Sequence, residues 1–169
     1  MSLLVRPSVA LHPAWLEAHE EWGDGLHEDG FGLLETDDVR SSEGFRVFVD
    51  RLIAMEASPG DDRGTFRWIV EDGEVHGGIA LRHESAQDVD VLGNVGYGLR
   101  PSARGRGLAV AALREMLCLA KARNMNQVLL ACFTDNTPSV KTLERCGGVL
   151  ERIVTTDRGK VGRYTIRLS

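Results

Sequence analysis

Long hydrophobic runs are absent from this 169-residue sequence. A helix that spans a bilayer needs about 20 consecutive apolar residues, and no run approaches that length. The first residues, 1–7, also lack the basic region followed by an apolar stretch that is typical of a secretory signal peptide. We therefore predict a cytoplasmic protein with no membrane partner.

Cysteine is scarce, and metal-binding patterns are missing. The three cysteines, Cys118, Cys132 and Cys146, form no C-x-x-C pair, and each lies within an apolar pattern. Such cysteines are typically buried free thiols. The five histidines show no H-E-x-x-H or other zinc spacing. We predict no metal site.

The composition is that of an ordinary globular domain. Hydrophobic residues make up 43% of the chain and charged residues 27%, which excludes disordered, collagen-like and low-complexity chains. A domain averages about 150 residues, and we see no internal repeat. We therefore predict a single domain over residues 1–169.

The charges are distributed unevenly along the chain. Residues 1–62 hold 14 acidic and 4 basic residues, whereas residues 63–169 hold 11 acidic and 16 basic residues. An acidic region attracts cationic ligands and a basic region anionic ones, although solvated surface charge would give the same pattern. The basic residues are scattered and not interleaved with aromatics, so a nucleic-acid partner is not expected.

The hydrophobic periodicity predicts a mixed α/β fold. The Asp72-Gly73 pair between two β-rich runs is a strong hairpin signal, and the strand-helix-strand order over 94–133 predicts a parallel pair of strands. The predicted helices cover 13–22, 42–57, 108–123 and 138–145, and the predicted strands cover 65–70, 75–82, 94–100, 127–133, 149–155 and 163–168.

A glycine-rich segment over residues 96–109 joins a predicted strand to a predicted helix. The backbone NH groups of residues 105–109 have no intrahelical partner, so they can converge on an anion. No Lys-Ser or Lys-Thr pair follows the glycines, and Val110 occupies the place of the third glycine in a dinucleotide fingerprint. ATP and NAD are therefore disfavoured. A solvated turn would also use arginine and glycine here.

The run Arg104-Gly105-Arg106-Gly107-Leu108-Ala109 fits the pattern [RQ]-x-x-G-x-[GA]. It resembles the pyrophosphate-binding motif of the GNAT (Gcn5-related) N-acetyltransferases, which bind coenzyme A. The strand before it, the amphipathic helix after it, the apolar strand ending at Phe133 and the Asn136-x-x-Ser139 helix start occur in the family's order. The runs 81–83, 96–102 and 147–151 resemble a group of GNAT proteins of unassigned substrate.

The resemblance implies a fold, a domain organisation and an activity. The expected fold is α/β (α+β), with a mixed, mostly antiparallel central sheet of about six to seven strands flanked by about four helices. Residues 1–62 would form a variable substrate-side helical region, and residues 65–155 would form the acetyl-CoA-binding core. The expected activity is acetyl transfer from acetyl-CoA to a primary amine of a small molecule or protein. The acidic N-terminal region indicates a cationic acceptor, and similar proteins often form homodimers. An acyl-CoA-binding regulatory module with little catalysis is the alternative.

The resemblance also implies which residues bind the cofactor. The Leu99 NH would polarise the thioester carbonyl, and Arg104 or Arg106 would reach a phosphate. Asn136 would contact the pantetheine, although asparagine at this place is also a common helix cap. The full expected set is Leu99, Arg100, Arg104, Gly105, Arg106, Gly107, Leu108, Ala109, Asn136 and Ser139.

The usual catalytic groups of the family are missing. Leu143 stands where many members carry a tyrosine acid, and Gly93 stands near the position of a glutamate base. Tyr97 is the candidate acid, and His83 and Glu84 are candidate bases. A packed tyrosine and a surface histidine are the alternatives.

Overall fold

The computed structural model describes residues 1–23, 31–59, 63–83 and 89–169, with the backbone alone at 90 and 91. The helices are α1 (His12–Trp22), α2 (Ser42–Ala57), the single-turn α3 (Val89–Leu92), α4 (Leu108–Ala122) and α5 (Thr137–Arg145). The strands are β1 (Leu4–Val5), β2 (Gly64–Glu71), β3 (Glu74–Arg82), β4 (Val95–Leu99), β5 (Gln127–Phe133), β6 (Val149–Thr156) and β7 (Gly159–Arg167).

The seven strands form two antiparallel sheets, in the orders β1-β2-β3-β4 and β5-β7-β6. The predicted mixed fold, mostly antiparallel with about four substantial helices, is confirmed. The hairpin between β2 and β3 is also confirmed: Asp72 and Gly73 both have positive φ, of 52° and 81°, as a type I′ turn requires.

The predicted parallel pair is wrong for the described strands, because β4 and β5 separate instead of pairing. They meet at one end only. There the Asn94 NH donates to the Leu129 carbonyl at 2.6 Å, the Asn94 side-chain oxygen accepts from the Leu129 NH at 2.7 Å, and Gly93 forms an isolated bridge with Leu130. Beyond Asn94 the two sheets diverge and leave a wedge between them.

Two hydrophobic clusters lie on opposite faces of the first sheet. An aromatic cluster packs α1 and α2 onto β2 and β3, with Trp15 and Trp68 fully buried at its centre. A largely aliphatic cluster packs α4 and α5 onto the other face and onto the second sheet, around Ile79, Leu113 and Met116. The helix that follows the glycine-rich turn, α4, is therefore packed against both sheets.

The cysteine prediction is only partly right. Cys132 and Cys146 are partly buried free thiols, but Cys118 is exposed, because it lies on the outward side of α4. Among the described residues, no helix is long and apolar enough to cross a membrane, and no cluster of histidine, cysteine or carboxylate side chains could hold a metal ion.

Candidate functional site

A cleft of about 460 Å³ opens where β4 separates from the second sheet. One wall is the end of β4, another is the turn into α4, and the third is one face of α5. The residues that line it are Tyr97, Gly98, Leu99, Arg104, Gly105, Gly107, Leu108, Ala109, Val110, Asn136, Pro138, Ser139, Lys141, Thr142 and Arg145.

The start of α4 presents free backbone donors to this cleft. Gly105 and Gly107 both have positive φ, of 76° and 79°, a conformation that glycine adopts without strain. The first intrahelical bond runs from the Ala111 NH to the Gly107 carbonyl, so the NH groups of residues 108–110 have no partner within the helix. The helix dipole adds positive potential there, which suits a phosphate group.

The arginines of the motif take different positions. Arg104 lines the cleft, and its Nε donates to the Leu99 carbonyl at 3.0 Å. Arg106 forms an ion pair with Glu71 and does not line the cleft. Of the two arginines expected to reach a phosphate, Arg104 is the one that lines the cleft, and the contact itself stays a prediction.

Arg100 also faces away from the cleft. Its buried guanidinium pairs with Glu21 at 2.6 Å and with Glu17 at 3.2 Å, both on α1. Its backbone NH donates to the His76 carbonyl on β3. Arg100 therefore holds α1 against β3 and β4, and its expected contact with the cofactor stays a prediction.

The Leu99 NH points into the wedge between the sheets, and its role toward a thioester stays a prediction. NH groups alternate in direction along a strand. Because the Arg100 NH points to β3, the Leu99 NH points away from β3 and into the wedge. A donor in this position can bind a carbonyl oxygen that acquires negative charge.

Asn136 caps α5, as the alternative interpretation proposed. Its side-chain oxygen accepts from the Ser139 NH at 3.3 Å. Asn136 also lines the cleft, and among the described residues its amide nitrogen has no hydrogen-bond partner. The cap and a ligand contact are therefore compatible, because they use different atoms of the side chain.

Tyr97 points from β4 into the cleft wall. Its hydroxyl is buried and has no hydrogen bond of good geometry within the described structure. Ser139 and Thr142 lie close by, but the Thr142 hydroxyl donates to the Pro138 carbonyl. Burial raises the pKa of the Tyr97 phenol, so the phenol keeps its proton at neutral pH. Leu143, at the family's tyrosine position, is buried in the aliphatic cluster.

The candidate base that the structure describes, His83, does not line this cleft. His83 is exposed and lines a separate small pocket with Arg63, Arg82 and Arg123. Glu84 lies outside the described residues. Sequence reasoning therefore placed one acid candidate, Tyr97, at the cleft, whereas the roles of all three candidates stay predictions.

A family model described as an acetyltransferase (GNAT) domain matches residues 36–149, well over half of the chain. The chain belongs to the GNAT acetyltransferase family. It is thus an acetyltransferase, whose donor is acetyl-CoA. The resemblance identified from residues 104–109 and 136–139 is confirmed.

Solved GNAT structures share the fold of this acetyltransferase. The microcin C7 self-immunity acetyltransferase MccE, in complex with acetyl-CoA and AMP, has 15% identity and a TM-score of 0.70, with 97% of this chain and 91% of that chain covered. A Salmonella typhimurium enzyme that modifies the N-terminal serine of ribosomal protein L7/L12 has 17% identity and a TM-score of 0.68, with 98% and 94% covered. RimL, an L7/L12 α-N-protein acetyltransferase in complex with coenzyme A, has 17% identity and a TM-score of 0.69, with 98% and 93% covered. No curated protein matched significantly.

The cleft of this GNAT protein fits coenzyme A chemically. Its lining combines free NH donors at the α4 start with three cationic side chains, those of Arg104, Lys141 and Arg145, and the residues that line it include no acidic side chain. Such a lining suits a long polyanion that carries a diphosphate.

Sequence reasoning missed several residues of the lining. These are Gly98, Val110, Pro138, Lys141, Thr142 and Arg145. The available signal was the period of α5, because positions 138, 141, 142 and 145 recur on one helical face.

Proposed function

We propose that this GNAT protein transfers the acetyl group of acetyl-CoA directly to a primary amine of a small molecule or a protein. One observation carries the proposal: the free NH groups at the α4 start and the Leu99 NH face the same cleft, and Tyr97, whose hydroxyl is buried, is among the residues that line it. This arrangement supplies an anchor for a diphosphate, a donor for a carbonyl oxygen and a proton source.

In the proposed mechanism, acetyl-CoA supplies the acetyl group and the thiolate that leaves. The NH groups of residues 108–110 and the Arg104 guanidinium bind the diphosphate, which fixes the position of the thioester. The Leu99 NH stabilises the negative charge that develops on the carbonyl oxygen when the amine attacks. Tyr97 then donates its hydroxyl proton to the departing sulfur, and the proton that the acetylated nitrogen releases returns to the Tyr97 phenolate through water.

We assign no base to the described residues. A protonated amine has no free electron pair, so the acceptor must lose a proton before it attacks. His83 lies in another pocket, and the residues that line the cleft include neither a carboxylate nor an imidazole. We propose that the acceptor reacts in its neutral form, with positioning and exclusion of water as the main contributions to catalysis.

A regulatory module that binds acyl-CoA with little catalysis is the second candidate. It is favoured by the buried Leu143 and by Gly93, which occupy the positions of the family's usual acid and base. Under this proposal Tyr97 is a packing residue, and its hydroxyl donates no proton to a leaving group. The two candidates differ in turnover and not in cofactor binding.

The preference for a cationic acceptor stays a proposal, and its electrostatic support is reduced. Many acidic side chains of the N-terminal region are paired within the protein. Glu20 contacts Arg40, Asp37 contacts Arg51, and Glu17 and Glu21 contact Arg100. The excess of negative charge in residues 1–62 therefore exerts less attraction than its count suggests.

The homodimer and the cytoplasmic location are likewise proposals that derive from the sequence. The described strand best suited to pairing with a second copy is β6. It lies at the edge of its sheet, and all eight of its residues are exposed. Unpaired edge groups of this kind are templates for another strand. Sedimentation equilibrium gives the mass directly.

The proposed function is tested first by ligand binding and then by turnover. Thermal shifts with acetyl-CoA, CoA, ATP and NAD should show stabilisation by the first two alone, of about 2.7 kcal/mol at 100 times the dissociation constant. A panel of amines is then assayed for release of CoA thiol. Turnover of any amine supports the acetyltransferase. Binding without turnover of any amine supports the regulatory module, and no binding of either CoA ligand contradicts both.

A further inference from the structure

We propose that a small pocket away from the cleft binds a small oxyanion, a carboxylate or a phosphate. The pocket lies at the C-terminal end of α4, between the start of β2 and the end of β3, and has a volume of about 40 Å³. The cleft is at the other end of α4, which has 15 residues, so about 20 Å of helix separates the two. The site therefore goes beyond the proposed function and does not depend on it.

Positive side chains form much of the pocket wall. Arg63, Arg82 and Arg123 line it together with His83, and the described residues that line it include no carboxylate. Arg82 and His83 also make other contacts, and the Arg82 guanidinium donates to the Gly93 carbonyl at 3.4 Å. The cationic groups that carry the proposal are therefore those of Arg63 and Arg123.

The Arg63 side chain has a donor without an acceptor. Its Nε atom is buried and forms no hydrogen bond within the described structure. A guanidinium N–H that is removed from water without an acceptor lowers the stability of the folded protein. Carboxylates and phosphates present two oxygens at the spacing of the guanidinium donors. An oxyanion in the pocket would thus supply the missing acceptor.

Arg123 belongs to a group of arginines that outnumbers its carboxylate partners. Arg123, Arg67 and Arg6 all contact Glu56. One carboxylate therefore faces three positive charges, and Arg63 adds a further positive charge at the same pocket. An anion in the pocket offsets this excess, and the attraction is stronger than in water because Arg67, Arg123 and Glu56 are largely shielded from solvent.

The size of the pocket limits the ligand. A water-sized group needs about 10 to 15 Å³ of such space, so the pocket admits roughly three of them. This is enough for a carboxylate or for one face of a phosphate, whereas a nucleotide would leave most of its atoms outside. The buried side chains of Leu81 and Met125 also line the pocket, and an apolar surface beside a charge pair strengthens the attraction.

A ligand at this site would connect three elements of the fold. The His83 NH donates to the Arg63 carbonyl at 3.1 Å, which joins the residues that follow β3 and precede β2. Arg123 directly follows α4 and caps its C-terminal end. An anion held by Arg63 and Arg123 therefore links two strand ends to a helix end. Since the unfolded chain lacks this arrangement, binding should raise the unfolding midpoint.

The experiment is thermal unfolding of the full chain with increasing inorganic phosphate, in saturating CoA so that the anion-binding groups of the cleft are occupied. We expect the midpoint to rise by about 3 to 6 °C at ten times the dissociation constant. Phosphate also stabilises proteins by exclusion from their surfaces, so the decisive quantity is the part of the rise that Arg63→Gln removes. Arg158→Gln should keep the full rise, because Arg158 is an exposed cation that does not line the pocket.

The variants Arg123→Gln and Arg67→Gln form a second matched pair. Both residues contact Glu56, and of the two Arg123 alone lines the pocket. Both substitutions should lower the midpoint, whereas Arg123→Gln alone should also remove the response to phosphate. Acetate in place of phosphate distinguishes the two ligands, since the physiological class is the one that gives the larger rise at equal concentration.

Two results would overturn the inference. One is a response to phosphate of equal size in the unaltered protein, Arg63→Gln and Arg123→Gln, which would reduce it to a general salt effect. The other is the lack of a response to either anion in the unaltered protein. Calorimetry of CoA with the same proteins tests the proposed function separately, and we expect Arg63→Gln to bind CoA with unchanged affinity.

Discussion

The Tyr97 hydroxyl is a buried polar group that lacks a partner within the described structure. Such a group lowers stability unless something else compensates for it. We therefore predict that Tyr97→Phe lowers kcat about 10- to 100-fold while it leaves the affinity for acetyl-CoA unchanged and does not lower the melting temperature. Initial rates, calorimetry and thermal unfolding measure the three quantities.

His83→Ala is the matched control for Tyr97→Phe, because His83 lies in a different pocket. We predict less than a twofold change in kcat for this variant. An undiminished kcat in Tyr97→Phe would contradict the acid role and make Tyr97 a packing residue.

Glu56 is the centre of a network of ion pairs with three arginines. Arg6, Arg67 and Arg123 all contact its carboxylate. Burial alone would raise the pKa of the Glu56 carboxyl, but the hydrogen bond from Arg67 and the three positive charges outweigh burial, so the pKa lies below its ordinary value. A lowered pKa contributes stability above the unfolded-state value of about 4.3, and this stability is lost as pH falls through the folded-state pKa.

We predict that Glu56→Gln lowers the free energy of unfolding by about 2 kcal/mol at pH 7, because it leaves three arginines without their anion. The loss should shrink as pH falls toward 3, where the carboxyl of the unaltered protein is protonated. Urea unfolding at pH 7, 5 and 3 measures it. Glu20→Gln, which breaks an exposed pair with Arg40, should change stability by less than about 0.5 kcal/mol, and a constant loss across pH would contradict the prediction.

At the scale of elements, the start of α4 depends on backbone conformation. Gly107 in the cleft and Gly73 in the β2–β3 turn have φ of 79° and 81°, and a Cβ at either meets no other atom within 4 Å. Alanine at each position should cost about 1 kcal/mol of backbone strain. Only Gly107→Ala places its methyl group beside the free NH donors, so we predict that it alone weakens acetyl-CoA binding, by about tenfold or more.

Calorimetry on Gly107→Ala and Gly73→Ala, with unfolding midpoints for both, separates strain from ligand contact. Equal affinities in the two variants would show that the α4 start does not hold the diphosphate.

Two substitutions at Asn136 separate its role as the cap of α5 from its proposed contact with the ligand. Asn136→Ala should lower stability by about 1 kcal/mol, because the Ser139 NH loses its acceptor. Asn136→Asp keeps an acceptor, so it should preserve stability but weaken binding of acetyl-CoA, since it lacks the amide donor. Thermal unfolding and calorimetry test this pair, and an Asn136→Asp protein with full affinity would leave Asn136 as a helix cap alone.

Local signals predicted the elements well, whereas distant partners were not visible in the sequence. The Asp72-Gly73 turn depends on residues within a few positions. The position of Arg100 depends on Glu17, 83 residues away, and no local pattern encodes such a contact. The divergence of β4 from β5 was not predictable for the same reason. The point from which the two strands diverge is fixed by the contact between Asn94 and Leu129, which are 35 residues apart.

At the scale of the whole molecule, the cleft is bounded by both sheets. β4 belongs to the first sheet, whereas α5 packs on β5 of the second. A ligand in the cleft therefore connects two sheets whose described strands meet near Asn94. We predict that acetyl-CoA slows amide hydrogen exchange in residues 95–99 and 137–145 together, and leaves β6 unchanged, because stabilisation follows the contacts of the ligand.

Exchange measured by mass spectrometry with and without acetyl-CoA tests this prediction. Slower exchange in residues 95–99 alone would place the ligand on the first sheet only and contradict the proposed contacts of α5.

The junction at Asn94 has a geometric consequence for the cleft. Its side chain and backbone join β5 to β4, and its carbonyl accepts from the Arg82 NH of β3 at 2.6 Å, so one buried asparagine ties three strands at the apex of a wedge. The opening angle of a wedge is set at its apex. The width available to an acyl chain is therefore governed by Asn94, which lies outside the cleft lining. Enlarging the cleft for longer acyl groups would require a change at this junction as well as changes in the lining residues.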